Sequence, residues 1–304
     1  DKICKPETIL ASNTSSLDIN ELGRATSRPE KVCGTHFFSP ANVMKLMENV
    51  RTNASSLETI ATIMKLSKTL GKTGVLVGVG DGFVGNRMLH VAARIAEFMV
   101  EEGALPWQVD KVVYGFGFPM GPFAMNDLAG VDVRYLIRKE QKKLYADRRQ
   151  SVVLDRLFET GRYGQKTGGG WYTYENGSRR GIPDPVVQEL IVNTSKEIGY
   201  ERREFSDEEI LERYLYSMIN TGAHVLEEKL ALRSGDIDVI WHYGYGFPRY
   251  QGGPMFYADL IGLDKIYDKV SKYYDEYGDW LKPSKLLKSL ADDGKGFGDY
   301  TNGL

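Results

Sequence analysis

An internal repeat in the later part of the chain constrains the fold more than any other feature of the sequence. Four segments occur twice in the same order: Glu101-Glu102, Tyr114–Pro119, Gly121-Pro122 and Asp127–Asp132, then Glu227-Glu228, Tyr243–Pro248, Gly253-Pro254 and Asp259–Asp264. From each Gly-Pro to the following Asp-Leu the spacing is identical. We therefore predict two homologous domains, over residues 81–182 and 183–304, that pack against each other within one chain as two subunits of a symmetric dimer would.

The segment before the repeat has a different pattern. Residues 1–80 alternate short β-rich runs with helical stretches, which is typical of an α/β sheet with crossover helices. The predicted strands are Thr8–Ala11, Val32–Phe38, Met44–Val50 and Val75–Val79. Ser55 and Glu58 predict a capping box ahead of one helix, which Gly71 ends. Apolar spacing then predicts a long amphipathic helix over Val84–Glu102 and a mainly helical chain after it, so the fold class is α/β followed by all-α.

Composition excludes several classes of protein. The 304 residues are 42% hydrophobic and 26% charged, which is too apolar for a disordered chain. A net charge of −2 provides no positive field for nucleic acid, and the apolar runs are far shorter than the roughly 20 residues of a membrane helix. Cys4 and Cys33 supply neither a disulfide framework nor paired metal-ligand spacing. The histidines His90, His224 and His242 lack ligands at metal spacing, so no metal site is predicted.

A glycine-rich turn, Gly80–Gly85, satisfies the pattern G-x-G-x-x-G between a strand and a helix. A dinucleotide-binding turn is followed about 20 residues later by an acidic residue at the end of a second parallel strand. Here the predicted helix runs through that distance instead. We interpret the glycines as a turn into the helix rather than as a phosphate site.

His36 and Glu48 form the first candidate for chemistry. If the second and third strands pair as a hairpin centred near Asn42, the two side chains lie opposite each other within contact distance. Strand alternation gives Glu48 apolar neighbours on its face, and a buried carboxylate needs a partner. Two interpretations remain open: a catalytic pair, or a structural core histidine with an exposed glutamate.

Polar residues near the ends of two predicted elements are further candidates. Ser12–Ser16 follows the first strand, where α/β sheets present ligand-binding loops, although the same residues suit a helix N-cap. Asn86 lies in the first turn of the long helix, where its amide can face a cleft or simply belong to the cap region.

Several segments together resemble the L-3-hydroxyacyl-CoA dehydrogenase family. They are ASNTSSL at 11–17, THFFSPANVMKLMENV at 35–50, GFVGNRM at 82–88, GFGFPMGPFAMNDLAGVD at 115–132 and GQKTGGGWY at 164–172. The duplicated half, with YGYGFPRYQGGPMFYADLIGLD at 243–264, is similar to the dehydrogenase part of multifunctional fatty-acid β-oxidation enzymes. The resemblance implies that residues 1–80 are the C-terminal half of a Rossmann-type NAD-binding domain, followed by two helical dehydrogenase C-terminal domains.

The same resemblance implies an activity and a set of site residues. The activity is NAD-dependent oxidation of (3S)-hydroxyacyl-CoA to 3-ketoacyl-CoA. The implied catalytic residues are His36, Glu48, Ser15 and Asn86, and the implied cofactor-binding residues are Ser15, Ser39 and Lys166. The alternative is a non-catalytic remnant or assembly module that binds acyl-CoA or a protein without redox turnover.

One departure from the family pattern concerns the beginning of the chain. The family opens with a βαβ unit that carries the phosphate-binding glycines and a ribose-binding acid, and this sequence lacks on the order of a hundred such residues. We therefore expect a piece of a longer dehydrogenase, monomeric through pairing of its two helical domains. The resemblance favours the peroxisomal matrix, with the bacterial cytoplasm or the mitochondrial matrix as alternatives.

Overall fold

A computed structural model describes residues 1–15, 17–175 and 177–301 of the chain. Ser16 of the polar loop, Asn176 and the last three residues lie outside this range. The strands are β1 Leu10–Ser12, β2 Val32–Phe37, β3 Leu46–Arg51, β4 Thr73–Gly78, β5 Tyr172–Thr173 and β6 Ile182–Pro183. The α-helices are α1 Ile19–Arg24, α2 Leu57–Thr69, α3 Gly85–Glu102, α4 Pro106–Phe116, α5 Pro122–Ala129, α6 Val131–Leu144, α7 Val153–Glu159, α8 Pro185–Glu197, α9 Asp207–Glu227, α10 Ser234–Ile240, α11 Pro254–Ile261, α12 Leu263–Tyr277 and α13 Lys285–Asp292.

A four-stranded sheet in the order β1-β2-β3-β4 forms the first part of the chain. β1 and β2 are parallel, β2 and β3 are antiparallel, and β3 and β4 are parallel. β3 lies in the middle of the sheet and its first five residues are buried, which removes Glu48 from water. The predicted order of an α/β segment followed by helices is confirmed.

The chain forms two compact units. The first contains Asp1–Leu89, Met218–Lys269 and the chain from Pro283 onward, and the second contains His90–Ser217 and Val270–Lys282. These units group residues by contact, whereas the boundary predicted at residue 80 separates the α/β segment from the first repeat and that at residue 182 separates the two repeats. Those boundaries stay a prediction.

Three pairs of buried or half-buried carboxylates have equivalent roles in the two repeats, which accounts for the recurrence of the segments that contain them. Each accepts hydrogen bonds from backbone amides at the start of a later helix or strand of its own repeat, and a carboxylate is a strong acceptor for such amides. The equivalent pairs are Glu101 with Glu227, Asp110 with Asp238, and Asp127 with Asp259. Burial raises the pKa of Asp110 and of Asp238 to about 7. The repeat is therefore a repeat of supporting carboxylates as well as of helices.

Residues of both repeats contact each other inside each unit. In the second unit the Tyr277 hydroxyl donates to Glu102 at 3.1 Å, and its ring stacks on Phe98 at 5.6 Å. In the first unit Trp241 Nε1 lies 3.2 Å from Met88 Sδ. These contacts bury aromatic surface of the second repeat against the first.

The N-terminus of α2 differs from the prediction by one residue. Ser56, rather than Ser55, is the N-cap, and its hydroxyl accepts the Thr59 amide. Ser55 instead donates to the Val32 carbonyl at 2.8 Å and so ties the helix entry to β2. The predicted capping box was wrong because this tertiary hydrogen bond competes with the local one.

Among the residues described, no helix is both long and apolar enough to cross a membrane.

Candidate active site

His36 and Glu48 form a buried hydrogen-bonded pair on neighbouring strands. The antiparallel register of β2 and β3 places the two residues directly opposite each other, and His36 Nδ1 lies 2.8 Å from Glu48 Oε2. His36 is 6% exposed and Glu48 is fully buried. An ionised carboxylate only accepts, so with Glu48 ionised Nδ1 carries the hydrogen, and in a neutral imidazole Nε2 then keeps its lone pair. The pairing predicted from the hairpin is confirmed, and the exposed-glutamate interpretation was wrong.

The second carboxylate oxygen of Glu48 binds the N-terminus of α3. Glu48 Oε1 accepts the Gly85 amide at 3.0 Å, which is a favourable partner for a carboxylate because amide hydrogens and the helix dipole converge there. Both oxygens of Glu48 are therefore engaged, one by the imidazole and one by the helix. This arrangement orients the carboxylate and, through it, the ring of His36.

The glycine-rich turn before α3 serves this arrangement. Gly82 has φ +70° and Phe83 has φ +50°, so the chain reverses tightly between β4 and α3. Any Cβ on Gly85 would lie 2.5 Å from the Tyr245 ring. Because the Gly85 amide is held by Glu48, it is not available to a phosphate, which supports the interpretation of Gly80–Gly85 as a turn.

Asn86, the residue after Gly85, is bound by a side chain that sequence reasoning missed. The Tyr245 hydroxyl donates to Asn86 Oδ1 at 2.8 Å. Burial, with the nearby Glu48 carboxylate, raises the pKa of Tyr245 well above its ordinary value. The Tyr245 ring meets Phe38 edge to face at 5.5 Å, and Phe38 lies 4.7 Å from the His36 ring. Tyr245, Asn86 and His36 thus belong to one cluster of contacts in the first unit.

The loops after β1 and β2 carry the remaining candidates of this unit. β1 and β2 are parallel, so their carboxyl ends lie at the same edge of the sheet. Asn13 Oδ1 accepts the Phe37 amide at 3.0 Å and fixes the first loop beside the end of β2. Ser15 and Ser39 are exposed in these loops. Neither serine has a role that the geometry decides.

Lys166 lies in the second unit and forms an ion pair. Its Nζ is 2.6 Å from Asp132 Oδ1, and the hydrogen bond from Lys166 lowers the pKa of Asp132. The lysine side chain is half exposed, so the pair is open to solvent. Its predicted contact with a cofactor stays a prediction.

The other histidines have structural surroundings. Burial, with Arg134 and Arg94 nearby, lowers the pKa of His90 well below its ordinary value, and Gln141 lies within hydrogen-bonding distance. His242 Nδ1 is 3.2 Å from the Phe247 carbonyl oxygen. Over the part of the chain that is described, no group of three or more His, Cys, Asp or Glu side chains could hold a metal ion.

A dinucleotide fits one part of this arrangement. The exposed hydroxyls at the ends of β1 and β2 suit the polar nicotinamide end of NAD, since they lie at the sheet edge that carries His36. The glycine-rich turn does not suit the pyrophosphate, because Glu48 occupies the Gly85 amide. The predicted contacts of Ser15 and Ser39 with a cofactor stay predictions.

Comparison with known proteins gives consistent matches. The model of the 3-hydroxyacyl-CoA dehydrogenase NAD-binding domain matches residues 1–94, and that of the C-terminal domain matches residues 82–174 and again 210–300. The chain is 47% identical to the human peroxisomal bifunctional enzyme and 45% identical to that of Danio rerio. Each alignment covers 96% of this chain but only 42% and 43% of the relative. The chain thus spans less than half the length of these relatives.

Solved structures agree with these matches. The dehydrogenase part of multifunctional enzyme 1 from Caenorhabditis elegans is 32% identical, with a TM-score of 0.68 over 95% of this chain and 66% of that one. A 3-hydroxybutyryl-CoA dehydrogenase from Escherichia coli has a TM-score of 0.79 over 96% of this chain and 77% of that one. At 23% identity the second likeness supports the fold alone.

Proposed function

The chain belongs to the 3-hydroxyacyl-CoA dehydrogenase family, and we propose that it carries the site at which a (3S)-hydroxyacyl-CoA is oxidised to the 3-ketoacyl-CoA. The observation that carries this proposal is the hydrogen-bonded series of His36, Glu48 and the Gly85 amide. Bound NAD, the cofactor of the family, would supply the acceptor for the hydride that leaves C3. This chain's own task is to handle the proton and the charge on the 3-oxygen.

His36 is the general base in this proposal. Its Nε2 takes the proton of the 3-hydroxyl while Nδ1 stays bound to Glu48. The imidazolium that forms is compensated by the Glu48 carboxylate, whose burial keeps water from screening the interaction. Glu48 need not move, because the Gly85 amide already holds its other oxygen.

Asn86 and Ser15 are proposed to hold the 3-oxygen. As the hydroxyl loses its proton the oxygen gains negative charge, which hydrogen-bond donors stabilise. The Asn86 amide and the Ser15 hydroxyl are donors of this kind. Ser15 and Ser39 are proposed to contact the cofactor.

The substrate class is tested by turnover of the intact protein. Formation of NADH is measured with (3S)- and (3R)-hydroxybutyryl-CoA at equal concentrations. We expect turnover of the (3S) substrate alone, because the base and the oxygen donors are fixed on one framework. Binding of both acyl-CoA enantiomers without NADH formation would instead support an acyl-CoA-binding module without redox turnover.

The assembly and the compartment are part of the same proposal. Residues 81–182 and 183–304 form two helical domains that bury each other's apolar surface within one monomer. The contacts of Tyr277 with Glu102 and of Trp241 with Met88 support this proposal. A sedimentation mass tests this, and a stable dimer joined through residues 205–304 would contradict it. The peroxisomal names of the relatives support a peroxisomal location, which imaging of the tagged intact protein checks.

A further inference from the structure

The second repeat has one more residue than the first in the stretch between Asp238 and Tyr243. Asp110 and Asp238 are equivalent, since each accepts two amides at the start of the helix after its Gly-Pro segment. Tyr114 lies four positions after Asp110, whereas Tyr243 lies five positions after Asp238. In the first repeat this stretch is regular α-helix, and in the second Trp241–Tyr245 is a π-helix. One inserted residue is what a π-helical turn accommodates, and such turns occur frequently at functional sites.

The π-helix places Tyr245 beside the candidate active site. Its counterpart in the first repeat is Phe116, which has no hydroxyl to donate. The Tyr245 hydroxyl donates to Asn86 Oδ1 at 2.8 Å, and its ring contacts Phe38, which in turn contacts His36. The insertion and the change to tyrosine therefore together provide one hydrogen bond to a proposed oxygen-binding residue.

Close packing fixes Tyr245 in this position. A Cβ on Gly85 would lie 2.5 Å from Tyr245 Cε2 and 2.6 Å from its hydroxyl oxygen. A Cβ on Gly244 would lie 2.6 Å from Leu46 Cδ2 and 3.2 Å from Phe38 Cε1. Gly85 thus lets the π-helix approach the start of α3, and Gly244 lets it approach Leu46 and Phe38. The ring consequently has little room to leave Asn86.

We propose that Tyr245 is a positioning residue for the dehydrogenase reaction: by donating to Oδ1 of Asn86, it holds the Asn86 amide so that Nδ2 donates to the 3-oxygen of the substrate. The inference rests on the proposed function. An amide has one acceptor end and one donor end, so engaging the oxygen decides which end faces the substrate. A reversed amide would present a carbonyl oxygen to an oxygen that is gaining negative charge. The phenol hydrogen bond also polarises the amide and strengthens its N–H donors.

The direct test is Tyr245→Phe, with Tyr243→Phe in the same π-helix as the matched control. Phenylalanine keeps the ring that packs on Phe38 and loses only the donor. We expect kcat of Tyr245→Phe to fall about tenfold, with KM for (3S)-hydroxybutyryl-CoA within about twofold, because the Asn86 donor acts most strongly on developing charge. Tyr243→Phe retains both values. Unchanged kcat in Tyr245→Phe would overturn the proposal.

A double-mutant cycle with Asn86→Ala separates positioning from a general structural loss. If Tyr245 acts through Asn86, adding Tyr245→Phe to Asn86→Ala lowers kcat no further. A structural loss multiplies with the Asn86 loss instead, so multiplicative effects would overturn the proposal even if Tyr245→Phe is destabilised. Failure of the proposed function is distinguishable: wild-type protein would then form no NADH from the (3S) substrate.

Discussion

Replacing Gly85 by alanine separates the two roles that the glycine-rich turn could have. The added Cβ would lie 2.5 Å from Tyr245 Cε2 and 2.9 Å from Cζ, closer than carbon atoms pack, so the ring or the start of α3 must shift. Overpacking of this kind destabilises by about 1–3 kcal/mol, whereas alanine in place of glycine in a helix contributes up to about 1 kcal/mol in the other direction. The net expectation is a destabilisation of about 1–2 kcal/mol.

The assays for Gly85→Ala are thermal unfolding, steady-state turnover and isothermal titration of NAD. We expect a melting temperature lower by about 2–5 °C and reduced kcat, since the displaced Tyr245 ring no longer holds Asn86. NAD affinity stays within about threefold, a difference below about 1 kcal/mol. Gly115→Ala is the control, because a Cβ at this helical glycine meets no atom within 4 Å. A large, selective loss of NAD affinity with unchanged stability would refute the reasoning and identify Gly80–Gly85 as a phosphate-binding turn.

Two further perturbations address the buried carboxylates. Glu48→Gln should lower kcat about 10²-fold or more with a smaller change in KM, because the imidazolium loses its compensating charge. The control is Glu58→Gln, since Glu58 is exposed. If the two variants turn over at the same rate, Glu48 has no part in the mechanism. Burial raises the pKa of Asp238 to about 7. The folded state therefore holds the carboxyl proton of Asp238 more tightly than the unfolded state does. The contribution of this proton to the free energy of unfolding is lost as pH rises from about 4 to about 7. In urea unfolding across that range, Asp238→Asn should lose less stability than the wild type; identical pH dependence would show that Asp238 does not titrate there.

The hairpin pair could be predicted from sequence because it depends on local rules. A short connection between two strands fixes an antiparallel register, and the register alone places His36 opposite Glu48. The amphipathic spacing of α3 likewise gave its extent to within one residue, Gly85–Glu102 against the predicted Val84–Glu102. In these places local pattern and tertiary structure agree.

The rest of the site depends on contacts between distant parts of the sequence. The Gly85 amide is 37 residues from Glu48, and the Tyr245 hydroxyl is 159 residues from Asn86. The extra residue after Asp238 was visible as an insertion in the repeat, but a loop could have absorbed it equally well. The error at Ser55 has the same origin, since its hydroxyl bonds to Val32 across the fold. Local preference does not reveal which tertiary partner takes a hydrogen bond.

The central claim is that the His36 imidazole, oriented by Glu48, takes the proton of the 3-hydroxyl. Its most direct test is kcat for NADH formation from (3S)-hydroxybutyryl-CoA by His36→Gln, with His224→Gln as the control. Glutamine can still donate a hydrogen bond to Glu48 but cannot accept the substrate proton, so kcat should fall about 10²- to 10⁴-fold while the control keeps the wild-type rate. A His36→Gln protein that turns over as fast as the His224→Gln control would contradict the account.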